Sequence, residues 1–311
     1  MHPSTSSGCV QPALRSESGV CSSPTGIPTM TQRRTKEKLI YSLLWLSALA
    51  VVLPVLLVVY FLAARGAGAM TWTFLTRAPE DGMRAGGIMP AIVGTVYLIA
   101  GTALFALPVG VLSAVYLTEY ARPGRFTRMV RLAIVNLSGV PSVVFGLFGL
   151  AVFVTILRFG VSVLAGSLTL ALMALPVVIT ASEEALLSVP GSFREASLAL
   201  GATKLQTVRR VVLPNAVPGI LTGLILALSR AAGETAPILF TAAAFYLPRL
   251  PRSVFDSCMA LPYHLYVIAT QVPNAPERVQ WGTSLTLLLI VLGMSAFAAV
   301  VRTRFRRARK W

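Results

Sequence analysis

Six stretches of this 311-residue chain, near 39–64, 91–118, 132–157, 161–188, 215–246 and 281–301, are apolar. Each is close to or longer than the roughly 20 residues that a helix needs to cross hydrocarbon. In lipid every backbone N–H and C=O must find a partner inside the protein, so a spanning stretch is a helix or a strand of a closed barrel. None of the six alternates apolar and polar residues with a period of two, which removes the barrel. The expected class is therefore an all-α integral membrane protein with six transmembrane helices. Composition agrees: 12% of the residues are charged, against roughly 25% in an average soluble protein.

The formal charge of +16 raises the question of a nucleic-acid partner, and its distribution answers it. Eighteen of the Lys and Arg residues lie on one set of connections. They are Arg33, Arg34, Lys36 and Lys38 before the first span, Arg122, Arg125, Arg128 and Arg131 after the second, Arg194, Lys204, Arg209 and Arg210 after the fourth, and the run from Arg302 to Lys310. The alternate connections hold seven. The positive-inside rule makes the first set cytoplasmic, with both termini on that side. The basic charge orients the chain among membrane lipids, and no nucleic-acid partner is expected.

Other chemistry is sparse. Cys9, Cys21, Cys258, His2 and His264 give neither a disulfide framework nor a metal spacing. There is no GxxxxGK[ST] loop, so the chain does not bind ATP by that device. No nucleophile–base arrangement stands out, and neither an enzyme nor a cofactor is expected. Residues 1–30 are rich in Ser, Pro, Thr and Gly and are expected to be disordered. Met30 opens MTQRRTKEKLIYSLLWL, a basic stretch running into the first span, and is the expected translation start. Pro54, Pro108, Pro141 and Pro176 lie inside the first four spans, where prolines are tolerated. Gly219 and Gly223 form a GxxxG, a signal for close helix packing. The proline-rich segment from Pro248 to Val279 is expected outside, over the mouth of a pathway.

Two stretches depart from this pattern. In SVPGSFREASLALGATKLQTVRRVVLPNAVPG, residues 188–219, Ser192 with Glu195 and Thr203 with Gln206 fit capping boxes. Gly201 lies between them, where a helix end takes a left-handed residue. The reading is two short helices folded at Gly201, with Pro214 opening the next membrane helix. Phe193, Ala196, Leu198, Ala199 and Leu200 offer an apolar surface, suited to a soluble partner or to the lipid headgroups. The other stretch is LSRAAGETAP, residues 228–237, which sets Arg230 and Glu234 in an apolar run.

Residues 188–219 resemble the EAA signature of permease subunits of ATP-binding-cassette importers: EAA, three residues, G, nine residues, then I-x-LP. The match falls on Glu195, Ala196, Ser197, Gly201, Val211, Leu213 and Pro214, with Ser for the third residue and Val for Ile. GGIMPAIVGT at 86–95, NLSGVPSVVFGLFGLAVF at 136–153, SRAAGETAP at 229–237 and LPYHLY at 261–266 are similar to the phosphate-specific permeases of the PstA type. The resemblance covers about residues 35–305. It implies a type I importer bundle, with a transmembrane core over 91–305 after a first helix and outer loop at 31–90, and a basic tail at 306–311. It implies coupling helices at 192–213, in which Arg194, Glu195, Ala196, Ser197, Gly201, Ala202, Leu213 and Pro214 relay the closure of an ATPase. The implied partners are a second homologous permease, an ATPase dimer that binds the ATP, an extracytoplasmic phosphate-binding protein, and the phosphate ion itself.

Arg230 lies roughly 20 Å along a helix that starts at Asn215, at 1.5 Å per residue. A charge at such a depth costs about 2.5–3.5 kcal/mol on insertion scales. The i, i+4 spacing places Arg230 and Glu234 on one face, which is expected to turn inward or toward a water-filled path. Arginine donates to a phosphate oxygen pair and stays charged. Glu234 would compete for the guanidinium and keep the anion from being held too tightly to leave. Thr235 adds a hydroxyl, and Asn136 is placed on the same path. Alternatively the pair locks the fifth helix to a neighbour. Permeases for other oxyanions, such as sulfate or molybdate, share this chemistry, and a membrane sensor would also use a docking loop. A secondary transporter would show duplicated halves, and none is visible.

Overall fold

The computed structural model describes residues 30–308, as two units: one ending at Leu57 and one running from Val58. The expectations for residues 1–29, including the translation start, and for the last three residues of the tail fall outside the described residues.

Helix α1 (Met30–Gly66) supplies the first unit. From Ile40 to Leu57 its large side chains, among them Leu44, Trp45 and Leu53, are exposed on every side. A helix that is apolar all round is a membrane span.

Beyond the end of α1, the second unit continues with a small segment ahead of its next long helix. Helix α2 (Trp72–Thr76) is capped by Thr71, whose Oγ1 accepts the Phe74 N–H at 3.3 Å. Strands β1 (Pro79–Glu80) and β2 (Ala85–Gly86) pair as a short antiparallel hairpin. Helix α3 (Met89–Val115) follows and continues as a π turn over Tyr116–Tyr120. Then come α4 (Arg125–Leu137) and α5 (Ser142–Gly149), the latter widening into a π stretch at Leu150–Ile156. Helix α6 (Val163–Leu187) is the buried centre of the bundle and packs on α3 along much of its length. The short helices α7 (Gly191–Ala199) and α8 (Lys204–Thr207) lead through a π stretch, Val208–Val212, into α9 (Leu213–Ala232). Helices α10 (Ala236–Thr241), α11 (Leu261–Thr270) and α12 (Glu277–Ala308) complete the chain.

Among the described residues, five helical runs are long and apolar enough to span unbroken: Ile40–Ala69, Met89–Tyr120, Val163–Leu187, Lys204–Ala232 and Glu277–Arg304. A sixth run passes the same test only as a broken pair, Arg125–Leu137 with Ser142–Ile156, bent by 100°. The straight span expected at 132–157 is thus corrected. Pro141 has no N–H and forces the residue before it away from the helical region, so the chain breaks at 138–141. The span expected at 215–246 is corrected at both ends. The helical run reaches back to Lys204 through α8 and the π stretch, while α9 itself opens at Leu213 with Pro214 in its first turn, as expected. The π stretch just before Pro214 loosens the ladder where the proline has no N–H to give. The run stops at Ala232 because Pro237 cannot donate back to Gly233, and α10 starts afresh beyond 233–235.

Gly219 and Gly223 lie directly against Ala185 and Ala181, and a methyl on either glycine would collide with those alanines. The GxxxG expectation holds: small residues on both helices let α9 and α6 approach backbone to backbone. The segment between α10 and α11 folds back over the start of α6. There the Val163 and Leu164 amides donate to Asp256 and Val254 at 2.9 Å. Asp256 is fixed by the Arg252 and Ser253 amides, at 2.8 and 3.1 Å, and these hold its carboxyl below the usual range. The Leu261 amide donates to Thr95 Oγ1 at 2.9 Å, seating buried α11 against α3. The proline-rich segment therefore closes over the N-terminal ends of α3 and α6.

Candidate functional site

The depth of Arg230 follows from helix register. Gly219 faces Ala185 and Gly223 faces Ala181, so α9 and α6 run antiparallel, with paired residue numbers falling as the others rise. Two further turns bring residue 231 level with 173, and Arg230 with Ala174, midway along the 25 residues of α6. Helix α9 ends two residues later. The other break lies at a similar height. Gly149 packs on Thr169, which by the same 1.5 Å rise puts Ser142 level with about residue 176. Helices α5 and α10 then run side by side toward the level of the start of α6, Gly146 against Ala236 and Pro237, and Gly149 against Thr241. Interrupted backbone at mid-span is tolerated only where it is buried in protein or lines a water-filled space.

At this level Arg230 Nε stands 3.6 Å from Glu234 Oε1. The expected common helix face is corrected, since Glu234 lies beyond the end of α9 and reaches back from the break. The contact is ionic and falls outside hydrogen-bonding distance. Its partners are unequal: the Arg230 side chain is 59% exposed, that of Glu234 18%. Behind Glu234 is a cavity of about 10 Å³, lined by Thr95, Leu98, Leu170, Ala231 and Ile238, which is room for about one water. Thr235 is the half-buried cap residue of α10, and its carbonyl accepts the Leu239 N–H at 3.0 Å. Asn136 stands exposed in the last turn of α4, at the edge of the other break. Among the described residues it makes no hydrogen bond to Arg230, Glu234 or Thr235.

The segment between α6 and α9 has the expected two short helices. Gly201 has φ +83°, its N–H donates to Leu198 at 2.9 Å, and the Ala202 N–H donates to Ser197 at 3.2 Å. That pair of bonds is the Schellman helix stop. The Thr203–Gln206 capping box is present, with both reciprocal bonds. The Ser192–Glu195 box is not. Helix α7 starts at Gly191, after Pro190 with ψ 140°, so Ser192 falls inside the first turn and no side chain caps it. Glu195, Ala196 and Pro214 are exposed, while Leu213 and Ala202 are half-buried. Ser197 faces α8, its hydroxyl 2.9 Å from that of buried Thr207. The departure from alanine at this position thus ties the two short helices together.

Arg194 is turned away from solvent. Its Nε and Nη2 donate to Glu119 Oε1 at 3.0 and 2.9 Å, its Nη1 to the Val189 carbonyl at 2.7 Å, and its Nη2 also to the Leu186 carbonyl at 2.8 Å. The sequence reading passed over Glu119. Its signal was there: it is the one acid between Tyr116 and Arg131, a stretch with four arginines. Arg131 and Glu183 were also missed as a pair, at 3.7 Å.

Residues 106–310 match the family described as binding-protein-dependent transport system inner membrane component. The chain is 37% identical over 288 residues to phosphate transport system permease protein PstA 1 of Mycobacterium tuberculosis (strain ATCC 25618 / H37Rv), covering 90% of this chain and 92% of that protein. It is 31% identical to phosphate transport system permease protein PstA of Haemophilus influenzae, covering 85% and 93%. A bacterial ABC transporter involved in the import of the acidic polysaccharide alginate has the same fold, with a TM-score of 0.63 at 16% identity, over 89% of this chain and 100% of that one. An inward-facing MetNI methionine ABC transporter aligns with a TM-score of 0.56 at 21% identity, over 70% and 97%.

Proposed function

The chain belongs to the family of binding-protein-dependent transport system inner membrane components, and we propose that it is the permease subunit of an ATP-driven phosphate importer. The observation that carries this reading is Arg230, an open, loosely paired guanidinium at mid-span beside two interrupted helices. The names of the relatives at 37% and 31% identity support phosphate as the anion.

Phosphate gives up part of its water shell to pass, and a guanidinium replaces that water with planar, charge-assisted donors. Exposed arginine facing lipid at this depth would be costly. Its open side therefore faces the path shared with a second, homologous permease. Glu234, less exposed and 3.6 Å away, takes the guanidinium back when the anion leaves. Thr235 and Asn136 lie at the two breaks and line the same passage. On the opposite face, the exposed leucines Leu198, Leu200 and Leu205 dock an ATPase dimer, which binds and hydrolyses the ATP. A binding protein on the outer side delivers phosphate. The alginate transporter, solved with a periplasmic protein bound, shows such a partner in a protein of this fold.

Uptake of radiolabelled phosphate by vesicles holding the complete complex tests the reading. ATP-dependent uptake that excess sulfate and molybdate leave unchanged is the expected result. Competition by either ion at equal concentration would reassign the substrate to oxyanions at large. Uptake without ATP would sink the importer reading.

A further inference from the structure

At the end of the bundle with the basic loops, one side chain ties several elements together. Arg194, on α7, donates four hydrogen bonds: two to Glu119 on the π turn that ends α3, one to Leu186 in the last turn of α6, and one to Val189 in the link that follows. The last carbonyls of a helix have no partner further along it, and here the guanidinium serves one of them, Leu186, together with the Val189 carbonyl of the link to α7. The pair is shielded, with Arg194 23% and Glu119 11% exposed. It is shorter and better bonded than Arg230–Glu234, so it is a fixed joint where the other is a loose contact.

The same π turn holds the neighbouring elements. Lys204, which opens α8, lies 5.1 Å from the centre of the Tyr120 ring. Arg131 of α4 donates to the Leu117 carbonyl at 3.1 Å. Thus Tyr116–Tyr120 touches α4, α7 and α8 within a single turn. Its wide π geometry, frequent at functional sites, sets Glu119 toward α7.

Covalently, α7 and α8 lead only to α6 and α9. Helix α3 is some 70 residues away in the chain, and its tie to α7 runs through Glu119. We infer that Arg194 is a positioning residue: with Glu119 it makes α7 and α3 move as one body, so that the closing of the ATPase drives α3 as well as α9. This rests on the importer reading above.

The test uses the complete complex in lipid vesicles, with Cys9 and Cys21 replaced by Ser and buried Cys258 left in place. Spin labels on Leu112→Cys, exposed on α3, and Ser192→Cys, exposed on α7, report the distance between the two helices. In the native background that distance is expected to be the same with and without ATP. In Glu119→Ala it should change when ATP binds, and phosphate taken up per ATP hydrolysed should fall about tenfold, as a shielded charge-assisted joint is lost. Glu119→Gln keeps one acceptor oxygen and should fall between the two. If Glu119→Ala does not assemble, Glu119→Gln supplies both readouts. A native distance that changes with ATP overturns the proposal, as does Glu119→Ala with native distance and native coupling. A native complex that hydrolyses ATP without taking up phosphate would instead count against the importer reading, and the distances would still be read.

Discussion

Arg230 and Arg194 are both drawn to carboxylates, and the way each is held separates the roles proposed for them. Arg194 has four hydrogen bonds and little exposure; Arg230 has one ionic contact at 3.6 Å and an open side. A guanidinium that must bind and release an anion cannot be saturated by its neighbours, whereas one that transmits force must be. Arg230→Gln is expected to lower phosphate uptake by about ten- to a hundredfold, the loss of a hydrogen-bonded charge worth roughly 1.5–3 kcal/mol. Arg230→Lys should recover only part of it, because a point charge does not reproduce planar donation. Co-purification of the ATPase should be unchanged in both. Native uptake by Arg230→Gln would remove the residue from the path.

At the level of elements, the two breaks matter more than the spans. Pro141 and Pro237 each stop a helix at mid-span, and α5 and α10 restart side by side beyond them. A continuous fifth helix would have carried Arg230 and Glu234 on one face; the break leaves Arg230 on the last turn and folds Glu234 back toward it. Gly201 makes the other decisive turn. Its φ of +83° is open to glycine and strained for a side chain, and left-handed backbone costs an ordinary residue about 1–2 kcal/mol. Gly201→Val should therefore misplace α8 against α7, break the Ser197–Thr207 contact, and reduce both ATPase co-purification and ATP-driven uptake. Unaltered uptake by this variant would show that the angle between the two helices is immaterial.

Across the whole molecule, the arrangement of basic loops sets an orientation that a labelling experiment can read. Trp72 and Leu200 are both strongly exposed, Leu200 at 89%. With Cys9 and Cys21 replaced by Ser, a membrane-impermeant maleimide added to intact cells should label Trp72→Cys and spare Leu200→Cys. Labelling of the second site in sealed cells would reverse the assigned sides. On the proposed function, that orientation would turn the segment over α3 and α6 toward the binding protein, and α7 and α8 toward the ATPase.

The number of apolar stretches, their helical nature and the close packing at Gly219 and Gly223 were legible in the chain itself, because length, period and residue size act locally. So were the helix stop at Gly201 and the Thr203–Gln206 box, whose partners lie within five residues of each other. The mid-span position of Arg230 followed from counting residues, and register against α6 supports it. What required the tertiary structure was every contact between distant parts of the chain. Pro141 read as a tolerated kink until its break was set beside that at 233–235. The resemblance places Arg194 among the coupling residues, but only the folded chain sets Glu119, 75 residues earlier, against it. Sequence spacing governs what a helix can do alone; which charge meets which across a bundle depends on how the helices pack, and that only the folded chain decides.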